Sequence, residues 1–229
     1  MNKALIKFAL KMLELEYSEV YKLRQSFHDS SIAAIILTRA NAWLHTCTKC
    51  DSPADLQAAA SAARALIEMH IDASLLIGDP QQYEEKYRAW TYSARLHVAE
   101  AKKKWLDERL KAEARNDRDK YQLEFIRKNR DKILKDRDKH WPREDGKLSH
   151  PPRWTNRNLL ADAIKADKVK GDGNNERLYE EYYREACWYV HASGTPGLTG
   201  LNPKEVELLH CFYLSLVEGL SSKIRRVIQ

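Results

Sequence analysis

The chain has little glycine, proline or cysteine, and it has no long hydrophobic run. Only 8 of its 229 residues are glycine and 7 are proline, which argues against a turn-rich β protein. Its 4 cysteines do not indicate a disulfide scaffold in a chain of this length. The longest apolar stretch, residues 32–37, is far too short to span a bilayer. The first residues lack the apolar core and cleavage site of a secretory signal, so we expect a cytoplasmic protein without a membrane partner.

Helix-forming residues dominate what remains. Charged side chains make up 31% of the chain, and alanine and leucine are abundant as well. The formal net charge is +6, which is compatible with an anionic partner such as RNA and does not require one.

Helical spacing and cap signals run along most of the sequence, and no segment alternates as a strand would. The predicted helices cover residues 3–27, 32–47, 53–78, 155–168, 176–192 and 203–227. Residues 81–139 contain no proline or glycine and predict one very long helix, or two helices with a break near Asn116. We therefore predict a single all-α domain over residues 1–229, in which residues 100–140 form a charged helical extension.

The extension carries nearly the whole positive excess of the chain, with the two signs interleaved. One interpretation is a solvated helical arm that contacts a protein partner or a second copy of the chain, because its sparse apolar seam is hard to bury alone. The other is an RNA-binding arm that follows a phosphate backbone. The candidate RNA-binding residues are Lys102, Lys103, Lys104, Arg127, Lys128 and Arg130.

A single C-x-x-C lies between Cys47 and Cys50. A structural zinc site needs four ligands, usually from two such motifs, and there is no second motif. A thioredoxin-like site needs a βαβ context, which is absent. We interpret these cysteines as packing residues and expect neither a metal nor a cofactor.

Arg184 and His191 are seven positions apart near the end of a predicted helix. Seven residues at about 100° each return a helix almost to its starting direction, so the two side chains share one face. Arginine can hold a phosphate, and histidine can transfer a proton near neutral pH. The pair is therefore a candidate for metal-free chemistry on RNA. The alternative is a solvated stripe, in which Glu180 and Arg184 form an ordinary ion pair.

A second polar set lies on the predicted third helix. Arg64 and Glu68 are four residues apart and share one face, whereas His70 falls on the apolar side, as expected of a hydrogen-bonded core residue. Arg64 and Glu68 either form the exposed face of an amphipathic helix or face a groove beside His191. In the second case, we expect Glu68 to orient His191 or Arg184.

These motifs resemble those of the HEPN superfamily of helical proteins. The spacing Arg184-x6-His191 fits the superfamily's Arg-x4–6-His motif. More of the chain is similar to an uncharacterised bacterial HEPN-like family, through the Arg-x-x-x-Glu-x-His helix at residues 64–70 and the Tyr-Arg…Val-His-x-Ser segment at residues 182–193. The resemblance covers residues 50–220 without the charged insert. One departure is Glu185, since a small polar residue commonly follows the motif arginine.

The resemblance implies a HEPN-like helical bundle and a metal-independent endoribonuclease, such as a toxin or phage-defence effector. His191 would then be the general acid/base and Arg184 the phosphate clamp, with Glu68 and Arg64 supporting them; two copies of such a motif usually meet across a dimer interface. Two alternatives stay open. The chain could be a non-catalytic interaction or regulatory module of a defence system, or it could sense a nucleotide through Arg184.

Overall fold

The computed structural model describes residues 2–29, 31–110, 117–141, 153–170, 174–191 and 201–229, some of them by backbone alone. All regular structure in these ranges is helical, as the sequence predicts. The chain divides into two compact units: residues 1–80 with 159–229, and residues 81–158.

The described helices follow the predicted ones, except that the helix predicted over residues 155–168 begins at Leu159 and the helix predicted over residues 176–192 contains a π-helical segment. They are α1 (Asn2–Gln25), α2 (Ile32–Cys47), a 3₁₀ turn (Pro53–Asp55), α3 (Leu56–Gly78), α4 (Pro80–Leu110), α5 (Asp117–His140), α6 (Leu159–Lys170), α7 (Asn174–Leu178), a π-helical segment (Tyr179–Tyr183), α8 (Arg184–His191) and α9 (Pro203–Ile228). None of them is both long and apolar enough to cross a lipid bilayer, within the part of the chain that the structure describes.

The central element of the first unit is α3, which packs against α2, α6, α8 and α9. Small residues such as Ala59, Ala63 and Ala73 are buried along it and allow neighbouring helices to approach closely. Leucine and isoleucine side chains fill the remaining space and are also fully buried. Burial of this kind is the main source of stability in a helical bundle.

Local cap chemistry sets where two of these elements begin. The Ser52 hydroxyl accepts from the backbone of Ala54, and Pro53 follows at the first helical position. At the start of α9, Asn202 and Glu205 form a reciprocal capping box. Both starts were predicted from the sequence.

The second unit contains α4 and α5, which pack through a small apolar cluster. Leu96 and Ala99 of α4 meet Ile126 and Ile133 of α5 in its buried centre. Paired charges surround it, such as Arg130 Nε with Glu100 Oε1 at 2.7 Å. Ile126 and Ile133 of the charged region are thus buried within this unit, whereas Tyr121 is exposed.

Candidate functional site on helices α3 and α8

Arg64, Glu68 and Tyr183 form a connected polar group where α3 faces the π segment. The Tyr183 hydroxyl donates to Glu68 Oε1 at 2.8 Å, and Arg64 Nε donates to the same hydroxyl at 3.4 Å. Arg64 Nε also lies 3.6 Å from Glu68 Oε1, and its guanidinium lies over the Tyr183 ring. Burial raises the pKa of Tyr183, so the phenol remains a neutral donor to the Glu68 carboxylate.

The same face of α3 continues to the C-terminal end of α8. Gln57 Nε2 donates to the backbone carbonyl of Val190 at 3.3 Å. Gln57, Arg64 and Glu68 are seven and four residues apart, so they follow one stripe of α3. His191 comes directly after this carbonyl and is the last residue of α8. Its side chain lies outside the described part of the chain.

A π-helical turn immediately precedes Arg184. Over Tyr179–Tyr183 the backbone has the wider i→i+5 pattern, which is rare and occurs often at functional sites. The rings of Tyr179 and Tyr183 stack there at 5.2 Å between centroids. Tyr183, the last residue of this segment, is the one whose hydroxyl contacts Arg64 and Glu68. Sequence reasoning missed both the π turn and the role of this tyrosine.

Arg184 begins α8 on the exposed side of the same helix. Its Nη1 atom pairs with Glu180 Oε2 at 2.9 Å, and 68% of its side chain is exposed. From Arg184 to His191 the backbone is α-helical, so the two positions lie within about 20° of each other around the axis. The described contacts of Arg184 do not include the Arg64–Glu68 pair. Their joint role in one site stays a prediction.

Glu185 has tyrosine neighbours on α8 and α9. Burial and the nearby Glu185 carboxylate raise the pKa of Tyr213, and both effects also raise the pKa of Tyr189.

His70 is a core residue, as its position on the apolar side of α3 predicts. It is buried, and its Nδ1 lies 2.9 Å from Asn175 Oδ1. The Asn175 side-chain amide donates to Asp167 at 2.8 Å, so its oxygen is the acceptor and His70 Nδ1 carries the proton. Asp167 also accepts from the backbone of Asn175 and Glu176, which fixes the start of α7 next to the site.

The charged extension is extensively paired. Lys128 pairs with Glu124 at 2.7 Å, and Arg130 pairs with Glu100. Arg127 is exposed on the same helix. The side chains of Lys102, Lys103 and Lys104 lie outside the described part of the chain. An RNA-binding role for these residues stays a prediction.

The cysteines are all free thiols, and those of the C-x-x-C are both buried. Cys47 ends α2, and the Cys50 thiol donates to the backbone carbonyl of Thr46 at 3.5 Å. Within the described ranges, no group of three or more histidine, cysteine or acidic side chains has an arrangement that could hold a metal ion.

Comparison with known proteins gives one match. The model of a family of unknown function, DUF5677, matches residues 51–199, which include the α3 stripe, the π segment and α8. No curated protein and no solved structure matches the chain.

Proposed function

We propose that this chain, which belongs to the DUF5677 family of unknown function, is a HEPN-like, metal-independent endoribonuclease. The observation that carries the proposal is the alignment of the polar stripe of α3 with α8. Gln57 contacts the backbone next to His191, and Arg64 and Glu68 are held together two turns further along the same face.

In this proposal, Arg184 holds the scissile phosphate while the ribose 2′-oxygen attacks the phosphorus and the bond from phosphorus to the 5′-oxygen breaks. His191 either takes the proton from the 2′-hydroxyl or gives a proton to the leaving 5′-oxygen. An arginine can bind a phosphate through several N–H donors at once. Arg184 uses Nη1 for Glu180, and its other donors have no hydrogen bond to a residue that the structure describes. Glu185 lies about 100° from Arg184 around the helix axis and near Tyr213, which reduces repulsion between its carboxylate and the bound phosphate.

Arg64, Glu68 and Tyr183 act as positioning residues. The Tyr183 hydroxyl is held by both charged groups, which fixes the π segment from which α8 starts. The direction of α8, and with it the relative position of Arg184 and His191, then depends on this hydrogen-bonded group.

The test is cleavage of a single-stranded RNA in the presence of EDTA. We expect His191→Ala to lower the rate by at least about 100-fold, which is typical of losing a general acid or base. Arg184→Gln should lose activity as well, whereas Glu180→Gln, which releases the same guanidinium, should retain or gain it. Equal cleavage by wild type and His191→Ala, or none by wild type, would remove the catalytic proposal.

A non-catalytic interaction module is the second candidate function. The exposed ion pair between Arg184 and Glu180 favours it, because an ordinary solvated stripe has this arrangement. This candidate predicts co-purification of a stoichiometric protein partner and the same biological effect for wild type and His191→Ala.

A further inference from the structure

A basic pocket separate from the Arg64–Glu68–Tyr183 group lies at the junction of α7, the π segment and α9. A pocket of about 220 Å³ opens there. Its lining residues are Asn174, Arg177, Leu178, Tyr182 and Lys223. Two cations from helices distant in sequence therefore meet at one polar cavity, together with a phenol and an amide that can donate hydrogen bonds.

The charges of this pocket are only partly neutralised. Arg177 pairs with Glu181 through Nε at 2.9 Å, so its charge is partly neutralised. Lys223 is exposed and makes no ion pair with any residue that the structure describes. Two like charges at one cavity repel each other, and an anion between them relieves that repulsion.

Aromatic and apolar side chains extend from the pocket along α9. The Tyr182 ring lies 5.7 Å from the Phe212 ring, and 38% of Phe212 is exposed. Leu208, one turn before Phe212, is also exposed. On an α-helix Lys223 lies within about 20° of Phe212 and about 16 Å along the axis. The surface is thus an elongated strip with a basic end and an aromatic end.

Gly219 lies on the same strip between Phe212 and Lys223. A β-carbon added there would meet nothing within 4 Å. Glycine within an exposed helix costs stability relative to alanine, and no packing contact of the fold requires it here. A bare helix surface allows the backbone of a ligand to approach closely.

We propose that this strip, formed by Arg177, Tyr182, Phe212, Gly219 and Lys223, binds single-stranded RNA. A phosphate occupies the basic pocket, and a base stacks on the Phe212–Tyr182 pair. Basic grooves next to aromatic side chains are the usual means of binding unpaired nucleic acid. The elongated shape suits an extended strand better than a free phosphate ion. The inference rests on the proposed function, for which the strip would hold the substrate.

The experiment measures binding of a fluorescein-labelled, fully 2′-O-methylated single-stranded RNA by fluorescence anisotropy. This probe lacks the 2′-hydroxyl and cannot be cleaved through it, so binding is measured independently of catalysis. We expect Lys223→Gln and Arg177→Gln each to weaken binding about 3- to 10-fold. Each should also reduce the slope of log affinity against log salt by about 0.7, the value for one phosphate contact on a single strand.

Three further variants sharpen the test. Lys204→Gln removes an exposed lysine elsewhere on α9 and should leave affinity unchanged. Glu181→Gln frees the Arg177 guanidinium and should strengthen binding, which a general loss of structure would not do. Phe212→Leu keeps an apolar side chain but removes the stacking surface, and it should weaken binding roughly 10-fold.

The outcomes separate this proposal from the proposed function. Unchanged affinity in Lys223→Gln and Arg177→Gln, or equal losses in Lys204→Gln, would overturn the strip as the binding surface. Absence of binding by wild type, or tighter binding of duplex than of single-stranded RNA, would do the same. Binding that depends on the strip, together with no cleavage of unmodified RNA, would overturn only the ribonuclease.

Discussion

The hydroxyl of Tyr183 should stabilise the fold through its contact with Glu68, and this can be measured by a double-mutant cycle. Tyr183→Phe removes one atom, the oxygen that donates to Glu68 Oε1 at 2.8 Å and accepts from Arg64. A hydrogen bond to a charged group contributes about 1.5–3 kcal/mol when it is shielded from water. The side chains of Arg64 and Glu68 are each 31% exposed, so water can replace part of the interaction that the hydroxyl provides. We expect a loss of about 1 kcal/mol.

The assay is urea unfolding, followed by far-UV circular dichroism, of wild type, Tyr183→Phe, Glu68→Ala and the double variant. The coupling free energy between the two positions should be about 1 kcal/mol, because either single change already breaks the hydroxyl–carboxylate contact. Tyr179→Phe is the matched control, since its ring stacks on Tyr183 but its hydroxyl has no described bond to Glu68. A coupling below about 0.3 kcal/mol, the usual scatter of independent sites, would refute the contact. An equal coupling free energy between Tyr179→Phe and Glu68→Ala would show that the effect is not specific to the Tyr183 hydroxyl.

Three other substitutions should change the free energy of unfolding or its dependence on pH. The buried Glu16 carboxylate binds Nε and Nη2 of Arg225 at 2.9 and 3.0 Å. Glu16→Gln removes this negative charge, so the variant should be about 2–3 kcal/mol less stable in urea unfolding. Gly219→Ala should stabilise it by about 0.5–1 kcal/mol, since helix propensity rises and the added methyl meets open space; a decrease would contradict this reasoning. Burial lowers the pKa of His210, although Asp55 and a second aspartate oppose the shift. As pH falls, His210 is therefore protonated at a higher pH in the unfolded chain than in the folded one. The free energy of unfolding should fall as pH drops below about 6.5. His210→Leu should flatten that fall by up to about 1.4 kcal/mol per pH unit, as unfolding curves at several pH values would show.

Local chemistry is the part of this fold that a single sequence can predict. The start of α9 follows from Asn202, Pro203 and Glu205, whose bonds all lie within one turn. The first helix shows the limit of the same reasoning. The helix predicted over residues 3–27 from the spacing of Leu5, Phe8, Ala9, Met12 and Leu15 forms. However, Leu5 and Phe8 are exposed, whereas Ile6 and Leu13 are buried. Two apolar stripes run along this helix, and only packing against α2 and α9 decides which one enters the core.

The site illustrates a second limit. Arg64 and Glu68 were identified together because an i,i+4 spacing places them side by side on any α-helix. The sequence does not indicate that Tyr183 joins them, because its hydroxyl reaches Glu68 from a helical segment more than a hundred residues later in the chain. The π turn has no signature in the residues that form it. The segment packs against α3, and a helical wheel does not represent such tertiary contacts.

The charge pattern of the chain has a consequence for where RNA would bind. Basic residues are most concentrated in the extension, but Arg130 and Lys128 have acidic partners at 2.7 Å. A cation already held by a carboxylate gains less from a phosphate than one held only by water, because the first interaction must be given up. Lys223 makes no such pair within the described ranges, whereas Arg177, the second cation at its cavity, is paired with Glu181. The number of basic residues therefore points to the extension, whereas pairing favours Lys223 of α9 over Lys128 and Arg130 of the extension as a phosphate contact.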